Sequence, residues 1–542
     1  MDTIGIKDLL KCYHQCNIRG LRQSSKWAAE LILSLQNNEN DNQDDTMNTS
    51  QVDVSADLFS NGYIFSDSKF LLAKTCFDLG EYDRAAFWTK DCKEKEARFL
   101  NFYSRYLSAE KKRLDTMAET SCLNSEVSLK LFSELRNELQ QLYNQKSYLE
   151  NDGYLLYVYA IVLLKLELNW EANDILVKSI QTEPLNWASW HQLAQIIDDK
   201  SQLDQLNLPN HWFKKFFLGE VYLELQLNEE AFELYSGLIA IFKDCNYILS
   251  QIAIAKHNLR DVDGAIDLFQ QIRKSDPARL DSMDIYSNLL YVNEKRTELS
   301  SLAHEANSID PFRVETCCCI ANFYSLRSQH AKSVVYFSRA LQLNPKHLSA
   351  WTLIGHEYME MKNTGAAIQA YRSAIKCNKR DYRAWYGLGQ TYEILKMPAY
   401  SLYYYSVAHC LRPNDSRMIL ATGETLEKLE RNTDAIKCYY KAGKMGLYKL
   451  AFLYERLHES DKAAAAYTDY IKSISNGDDN NPQVNLNQND LAHGYKFLAD
   501  YHLSKGEYKL AQTAAQKCIQ FPLTRDEGKT LLKDIQKKCP FS

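Results

Sequence analysis

Seven small residues, Gly219, Ala253, Ser287, Ala321, Gly355, Gly389 and Gly423, follow one another at a constant spacing of 34. A period of that length means that one supersecondary unit is written repeatedly. Such a unit cannot bury its apolar face alone and must stack on its neighbours, so the chain forms an extended array of units and not several independent globular cores. The 542 residues, 45% of them hydrophobic and with only 10 prolines and 19 glycines, leave ample material for that stack.

Each unit carries further marks at fixed offsets. Twelve residues after most anchors stands a second small residue (Ala231, Ala265, Ser333, Ala367, Ser401, Ala435), and four later an aromatic (Tyr235, Phe269, Phe337, Tyr371, Tyr405, Tyr439). Pro277, Pro311, Pro345 and Pro413 close units, where proline cannot continue a helix, and Lys379 stands where one is missing. The unit near Asp281 departs, with Leu299 and Ala303 at the second-helix positions.

This pattern resembles the tetratricopeptide repeat, a helix-turn-helix unit of two antiparallel helices, here called first and second. In the first helix Trp351, Ile354 and Tyr358 share a stripe, and Gly355 lets the second helix approach. The expected fold is all-α, a right-handed superhelical solenoid with a concave groove. Ala73 with Ala85 and Ala160 with Ala172 mark early units, and Ala451 with Ala463 and Ala499 with Ala511 late ones. Ala194 follows Ala160 by 34, but Gly219 comes only 25 later, so one unit near 190–210 is truncated or bent. On that break the chain divides into an N-terminal array, 1–210, and a C-terminal array, 211–542. Polar stretches at 37–57, 111–126 and 476–490 read as loops inserted between helices.

Composition and motifs exclude several functions. A net charge of -5 offers no basic footprint for nucleic acid. There is no secretory signal and no apolar run long enough for a membrane span. The 14 cysteines show no regular pairing framework, which points to a reducing compartment. Asn48 and Asn414 in N-x-[ST] triplets are therefore read as chance. No phosphate loop, zinc-protease helix or nucleophile elbow is present, and no cofactor or metal site is expected. Cys12 and Cys16 share a helical face that His14 does not, so they read as packing residues, as does the run Cys317, Cys318 and Cys319.

The informative surface is the first-helix arc at unit positions 2, 5, 9 and 12, which spans about 80 degrees on a helical wheel, opposite the buried stripe. Position 9 reads Asn322, His356, Gln390, Glu424, and position 12 reads Ser325, Met359, Glu393, Glu427. Position 5 adds Cys318, Thr352, Tyr386 and Leu420, and position 2 adds Glu315, Ser349, Arg383 and Arg417. Amides, an imidazole, carboxylates and an aromatic in a row suit an extended segment carrying arginine. The plain alternative is a solvated face. A chaperone-tail receptor would instead need groove lysines, and none occupies position 2, 5 or 9 of these four units.

The non-consensus residues are distinctive. "ETCCCIANFYSLRSQHAKSVVYFSRALQLNP", "GHEYMEMKNTGAAIQAYRSAI" and "NKRDYRAWYGLGQTYEILKMPAYSLYYYSVAHCLRPNDSRM", with "NFYSRYLSAEKKR" and "DIYSNLLYV", resemble subunit eight of the anaphase-promoting complex (cyclosome), the cell division cycle protein twenty-three family. The similarity runs from about residue 25 to 535. The resemblance implies a non-catalytic scaffold subunit of a multisubunit ubiquitin ligase acting at anaphase and mitotic exit, in nucleus and cytoplasm. It implies a homodimer through the N-terminal repeats, stacking on related repeat subunits, and small extended subunits threaded along the array. It also implies a C-terminal groove for an arginine-containing box of WD-repeat coactivators. Carried onto this chain, the contacting positions are Asn322 and Glu357, with His356, Tyr386, Gln390 and Glu393 lining the same stretch. Glu357, at position 10, lies on the edge of the arc. The end at "KKCPFS" lacks the longer Ser/Pro-rich tail of some members. The competing readings are a co-chaperone or other adaptor, and an enzyme with a repeat-built channel, for which the chain leaves no room.

Overall fold

A computed structural model describes residues 6–41, 68–92, 94–120, 126–144, 152–197, 199–413, 415–475 and 488–538. All regular structure among them is helical, and the helices pair in the order the anchors require. The chain belongs to the all-α class and carries the tetratricopeptide-repeat solenoid fold. It divides into two compact units, Met1–Pro311 and Phe312–Ser542.

In the second unit the pairs are Val314–Leu326 with His330–Leu343, Leu348–Glu360 with Thr364–Cys377, Tyr382–Ile394 with Pro398–Leu411, and Ser416–Lys428 with Asn432–Lys441. Leu447–Arg456 with Ser460–Ser475, Gln488–Lys505 with Tyr508–Cys518, and a final helix Arg525–Lys538 complete it. The anchors explain the closeness of each pair. A Cβ added to Gly355, Gly389 or Gly423 would lie 2.5, 2.4 or 2.7 Å from the ring of Tyr371, Tyr405 or Tyr439 in the second helix. The small residue thus makes room for the aromatic sixteen positions on, and those rings are almost fully buried.

Two regularities tie the turns to the repeat. Gln226, Arg260, Glu294, Ser328, Lys362, Lys396 and Glu430, spaced by 34, all have φ between 53° and 68°. Each sits after a first helix as its left-handed C-cap, a place usually held by glycine. At the unit boundary the indole N–H of Trp351 donates to the carbonyl of Pro345 (2.8 Å), and that of Trp385 to the carbonyl of Lys379 (2.9 Å). The partner is a backbone carbonyl, which is why lysine can replace proline there.

In the first unit, the pairs Ser68–Asp78 with Tyr82–Thr89 and Gly153–Lys165 with Asn169–Thr182 bury Ala73, Ala85, Ala160 and Ala172 completely. The bent repeat is also visible: Trp187–Ile196 is followed only by the six-residue helix Lys200–Gln205 before Phe213–Glu224. The contacts group the chain as Met1–Pro311 and Phe312–Ser542, and one apolar core runs from Leu9 through Trp190, Phe213 and Phe216 to Ile252, across the break near 190–210. The expected loops need correction at three places. The stretch 111–126 is not a loop up to residue 120: the helix Lys95–Thr120 continues through it. That segment is rich in good helix formers, and Glu110 pairs with Arg113 one turn on and with Lys165. Likewise residues 37–41 end the helix Arg22–Asp41, and 488–490 open the helix Gln488–Lys505. The remainders, 42–57, 121–125 and 476–487, lie outside the described residues.

The N-terminal helices share the core of later repeats. Trp27, on Arg22–Asp41, stacks on Trp187 with ring centroids 4.0 Å apart and meets Phe213 and Phe216 in T-shaped contacts. Arg279, nearly buried, pairs with Glu30 at 3.0 Å, and Lys26 pairs with Asp281. The helix therefore packs against repeats far along the chain. Cys12 and Cys16 are buried in the same core, and Cys317, Cys318 and Cys319 are buried in the second unit.

Candidate functional site

The predicted groove residues all stand on first helices of the second unit. Asn322 is on Val314–Leu326, His356 and Glu357 on Leu348–Glu360, and Tyr386, Gln390 and Glu393 on Tyr382–Ile394. Their exposure differs from the helical-wheel expectation. Asn322 is 2% exposed, Cys318 1%, Thr352 4% and Glu357 5%, whereas Tyr386, Gln390, Glu393 and Glu424 are half-buried. The arc is not opposite the buried stripe, because first helices also meet across repeats, as Leu348–Glu360 does with Tyr382–Ile394 and as the Ser325–Glu357 hydrogen bond does one repeat earlier.

Glu357 sits at a junction of two repeats. The Ser325 hydroxyl donates to one carboxylate oxygen at 2.5 Å, and the His330 Nδ1–H donates to the other at 2.9 Å. Ser325 ends the first helix of the preceding repeat and His330 opens its second, so one carboxylate ties three helices together. A carboxylate has about four acceptor positions, and two are filled here.

Further along, the carboxylates obey a rule that the letters alone did not reveal. The hydroxyls of Tyr405, Tyr439 and Tyr467 donate to Glu393, Glu427 and Glu455 at 2.8, 2.9 and 2.7 Å, each twelve residues earlier in the same repeat. The ring that fills the space between two helices therefore also orients the carboxylate of that repeat. Burial and the neighbouring carboxylate push these three phenols well above their ordinary range. The spacing between aromatic and acid was available in the sequence, and its repetition was the missed signal. Cations of the following repeat complete these groups: Lys428 pairs with Glu393, Lys449 with Glu424 at 3.3 Å, and Arg456 with Glu427 at 2.7 Å. Among the described residues, Glu357 pairs with no lysine or arginine.

His356 follows the same geometry with its own partner. The Tyr371 hydroxyl lies 2.8 Å from Nδ1, and burial together with Arg383 holds the imidazole down at about 4, against an ordinary value of 6.5. Asp381 opposes the shift without reversing it. The ring is thus neutral at physiological pH, hydrogen-bonded through Nδ1 to the Tyr371 hydroxyl. Between the two values the unfolded chain binds a proton that the folded chain refuses, so this histidine's contribution to stability is lost as pH falls from 6.5 toward about 4. We expect the urea midpoint of the wild type to fall more steeply with acidification through that window than that of His356→Gln. Parallel pH profiles would contradict the assignment.

Among the described residues no cluster of three or more His, Cys, Asp or Glu could hold a metal ion. What the site offers is fixed acceptors, a neutral imidazole and the face of Tyr386, whose ring lies 5.3 Å from that of Tyr405. Such a surface can receive a cationic, donor-rich side chain.

Comparison with known proteins agrees with this fold and adds a family. The family model described as anaphase promoting complex subunit 8/Cdc23 matches residues 6–253, and one described as tetratricopeptide repeat matches 348–381. The "Cell division cycle protein 23 homolog" of Homo sapiens is 48% identical over 289 residues, 53% of this chain, and the match spans about half, 46%, of that relative's length. The Bos taurus protein of the same name matches to the same extent. A solved structure, the APC/C hetero-tetramer Cut9-Hcn1, superposes with a TM-score of 0.51 at 15% identity, covering 86% of this chain and 96% of that one, a likeness of fold. The "Anaphase-promoting complex subunit 8" of Dictyostelium discoideum is 38% identical over 591 residues, covering 99% of this chain and 98% of its own length. On that end-to-end match, the chain belongs to the anaphase-promoting complex subunit 8/Cdc23 family.

Proposed function

We propose that this chain is a non-catalytic scaffold subunit of the anaphase-promoting complex, a ubiquitin ligase, and that the groove of its second unit receives an arginine-bearing box of the WD-repeat coactivators. Its repeats stack on related repeat subunits and small extended subunits, its N-terminal repeats form a homodimer, and it works in nucleus and cytoplasm. Family membership supports the scaffold role. The observation that carries the groove reading is Glu357: a nearly buried carboxylate held by a hydroxyl and an imidazole, while Glu393, Glu424 and Glu427 each have a cation from their own chain. A buried carboxylate gains most from a cationic donor, and a guanidinium fork fills its remaining acceptor positions in a bidentate manner. Asn322, one repeat earlier, would orient the incoming side chain, and Tyr386, Gln390 and His356 would line its path.

The test is fluorescence polarisation of the full chain with a labelled arginine-box peptide. Asn322→Ala and Glu357→Gln should each weaken binding by about ten- to hundredfold, the value of one charge-assisted hydrogen bond. The homodimer should persist in both. Wild-type affinity in both variants removes the groove assignment, and binding of an acidic chaperone-type tail in its place would favour the co-chaperone reading. Any ubiquitin transfer by the isolated chain would contradict the non-catalytic assignment.

A further inference from the structure

The second helices of the second unit carry a charge pattern of their own. Three in succession, His330–Leu343, Thr364–Cys377 and Pro398–Leu411, contain neither Asp nor Glu. The repeat does not impose this. The second helices Asn228–Ile239, Val262–Ser275 and Arg296–Ile309 of the first unit carry Glu229, Glu230, Asp263 and Glu298 in their first turns alone. The first helices of this region carry carboxylates instead, at Glu357, Glu393, Glu424 and Glu427, and the second helices regain them from Asp434 onward.

These three helices are also rich in tyrosine, and the next second helix, Asn432–Lys441, adds another exposed ring beyond its one acid, Asp434. Tyr400 and Tyr403 are each 59% exposed and Tyr440 is 80% exposed. Arg372 and Lys376, on Thr364–Cys377, and Lys441, beside Tyr440 in sequence, are exposed. Arg372 and Lys441 each bridge neighbouring helices. The Arg372 guanidinium donates to the Tyr392 hydroxyl at 3.2 Å, and the Tyr392 ring stacks on Tyr400 at 5.5 Å and on Tyr404 at 5.2 Å. The Lys441 ammonium lies 3.3 Å from His409 Nε2, joining Pro398–Leu411 to Asn432–Lys441. Burial and Lys441 hold the His409 imidazole below its ordinary range, so the lysine carries the charge of the pair. Among the described residues, the side-chain partners of Arg372 and Lys441 are thus a phenol and an imidazole, and Lys376 has no carboxylate partner.

We propose that this strip is a second docking surface, separate from the groove, for an acidic protein segment in which Asp or Glu alternates with apolar side chains. The cations supply the complement to its carboxylates. The tyrosines supply large contact area at little cost in side-chain freedom, with hydroxyls for the polar rim. Nucleic acid fits less well, since its binding rests on neutralising many phosphates, about 6–10 in a typical site. The strip offers three cations without carboxylates, on a chain of net charge -5. The two faces of the unit are then complementary in sign: the groove takes a cationic segment and the outer strip an acidic one.

The experiment uses the full chain and a labelled peptide repeating Asp-Leu-Glu, followed by polarisation. Its counterpart with serine for leucine and an oligothymidylate of equal length are the comparison probes. The first peptide should bind, the serine peptide several-fold more weakly, and the oligothymidylate not at all. Arg372→Glu/Lys376→Glu/Lys441→Glu should weaken binding by at least about tenfold, as expected for loss and reversal of several charge-assisted contacts. Tyr400→Ser/Tyr403→Ser should weaken it several-fold. Both variants should retain wild-type melting and wild-type affinity for the arginine-box peptide, which separates this surface from the groove. Failure of the acidic peptide to bind, equal affinity of the triple variant, or oligothymidylate binding that disappears in the same variant would each overturn the proposal.

Discussion

Tyr405→Ala lowers the stability of the second unit by about 3–5 kcal/mol, the usual cost of truncating a buried aromatic ring. The side chain is 1% exposed and faces Gly389, at which a Cβ would come within 2.4 Å of the ring. No neighbour can collapse into the space, since the helices Tyr382–Ile394 and Pro398–Leu411 are also held together by the Ser401 hydroxyl donating to the Gly389 carbonyl at 2.9 Å. Tyr405→Phe keeps the ring and loses only the hydrogen bond to Glu393, so its cost is about 1 kcal/mol. The converse substitution, Gly389→Ala, forces the ring to move and costs about 1–3 kcal/mol as overpacking. Urea unfolding of the full chain, followed in the second unit, measures all three. A Tyr405→Ala midpoint equal to wild type would show that the aromatic does not carry the packing between paired helices. Because each repeat leans on its neighbours, the loss spreads along the array beyond one helix pair.

Trp27→Ala costs the first unit a similar amount, about 3–5 kcal/mol. The indole is 6% exposed and lies in an aromatic cluster of Trp187, Phe213, Phe216 and Tyr247. The same helix contributes Glu30 to Arg279, whose guanidinium is only 6% exposed and also reaches Asp281 at 3.7 Å. Loss of the helix would leave that buried cation with weaker company, which adds to the penalty. The first unit should then unfold at lower denaturant, while the affinity of the arginine-box peptide stays at the wild-type value, since every groove residue belongs to the second unit. An unchanged unfolding curve would mean that the N-terminal helix is not part of the core. Lost peptide binding at denaturant concentrations where the second unit is folded would place part of the groove outside it.

The solenoid was legible in the letters because repeat packing is local. Anchor, second small residue, aromatic and closing proline interact within one unit or the next, so their spacing states their contacts. Even Lys379 in place of proline is harmless, since Trp385 uses the carbonyl there. Three features were not legible. The depth of Asn322, only 2% exposed, was one, because a helical wheel does not show what the neighbouring repeats cover. The partners of Glu357 are also invisible to periodicity, because Ser325 and His330 come from a different repeat, 32 and 27 residues away. Finally, the fit of Trp27 to Trp187 joins positions with no common register.

Family membership likewise came from residues that the repeat leaves free to vary, since consensus positions specify only a shared fold. Sequence alone therefore determined the helices, their pairing, their order and the side of the array that carries acid, because each depends on short-range spacing and on the absence of particular residue types. The tertiary structure decided which acids already have cations, which polar groups are covered, and where the N-terminal helix packs. Those outcomes depend on contacts between residues from different repeats, and burial and pairing exist only once the superhelix has brought them together.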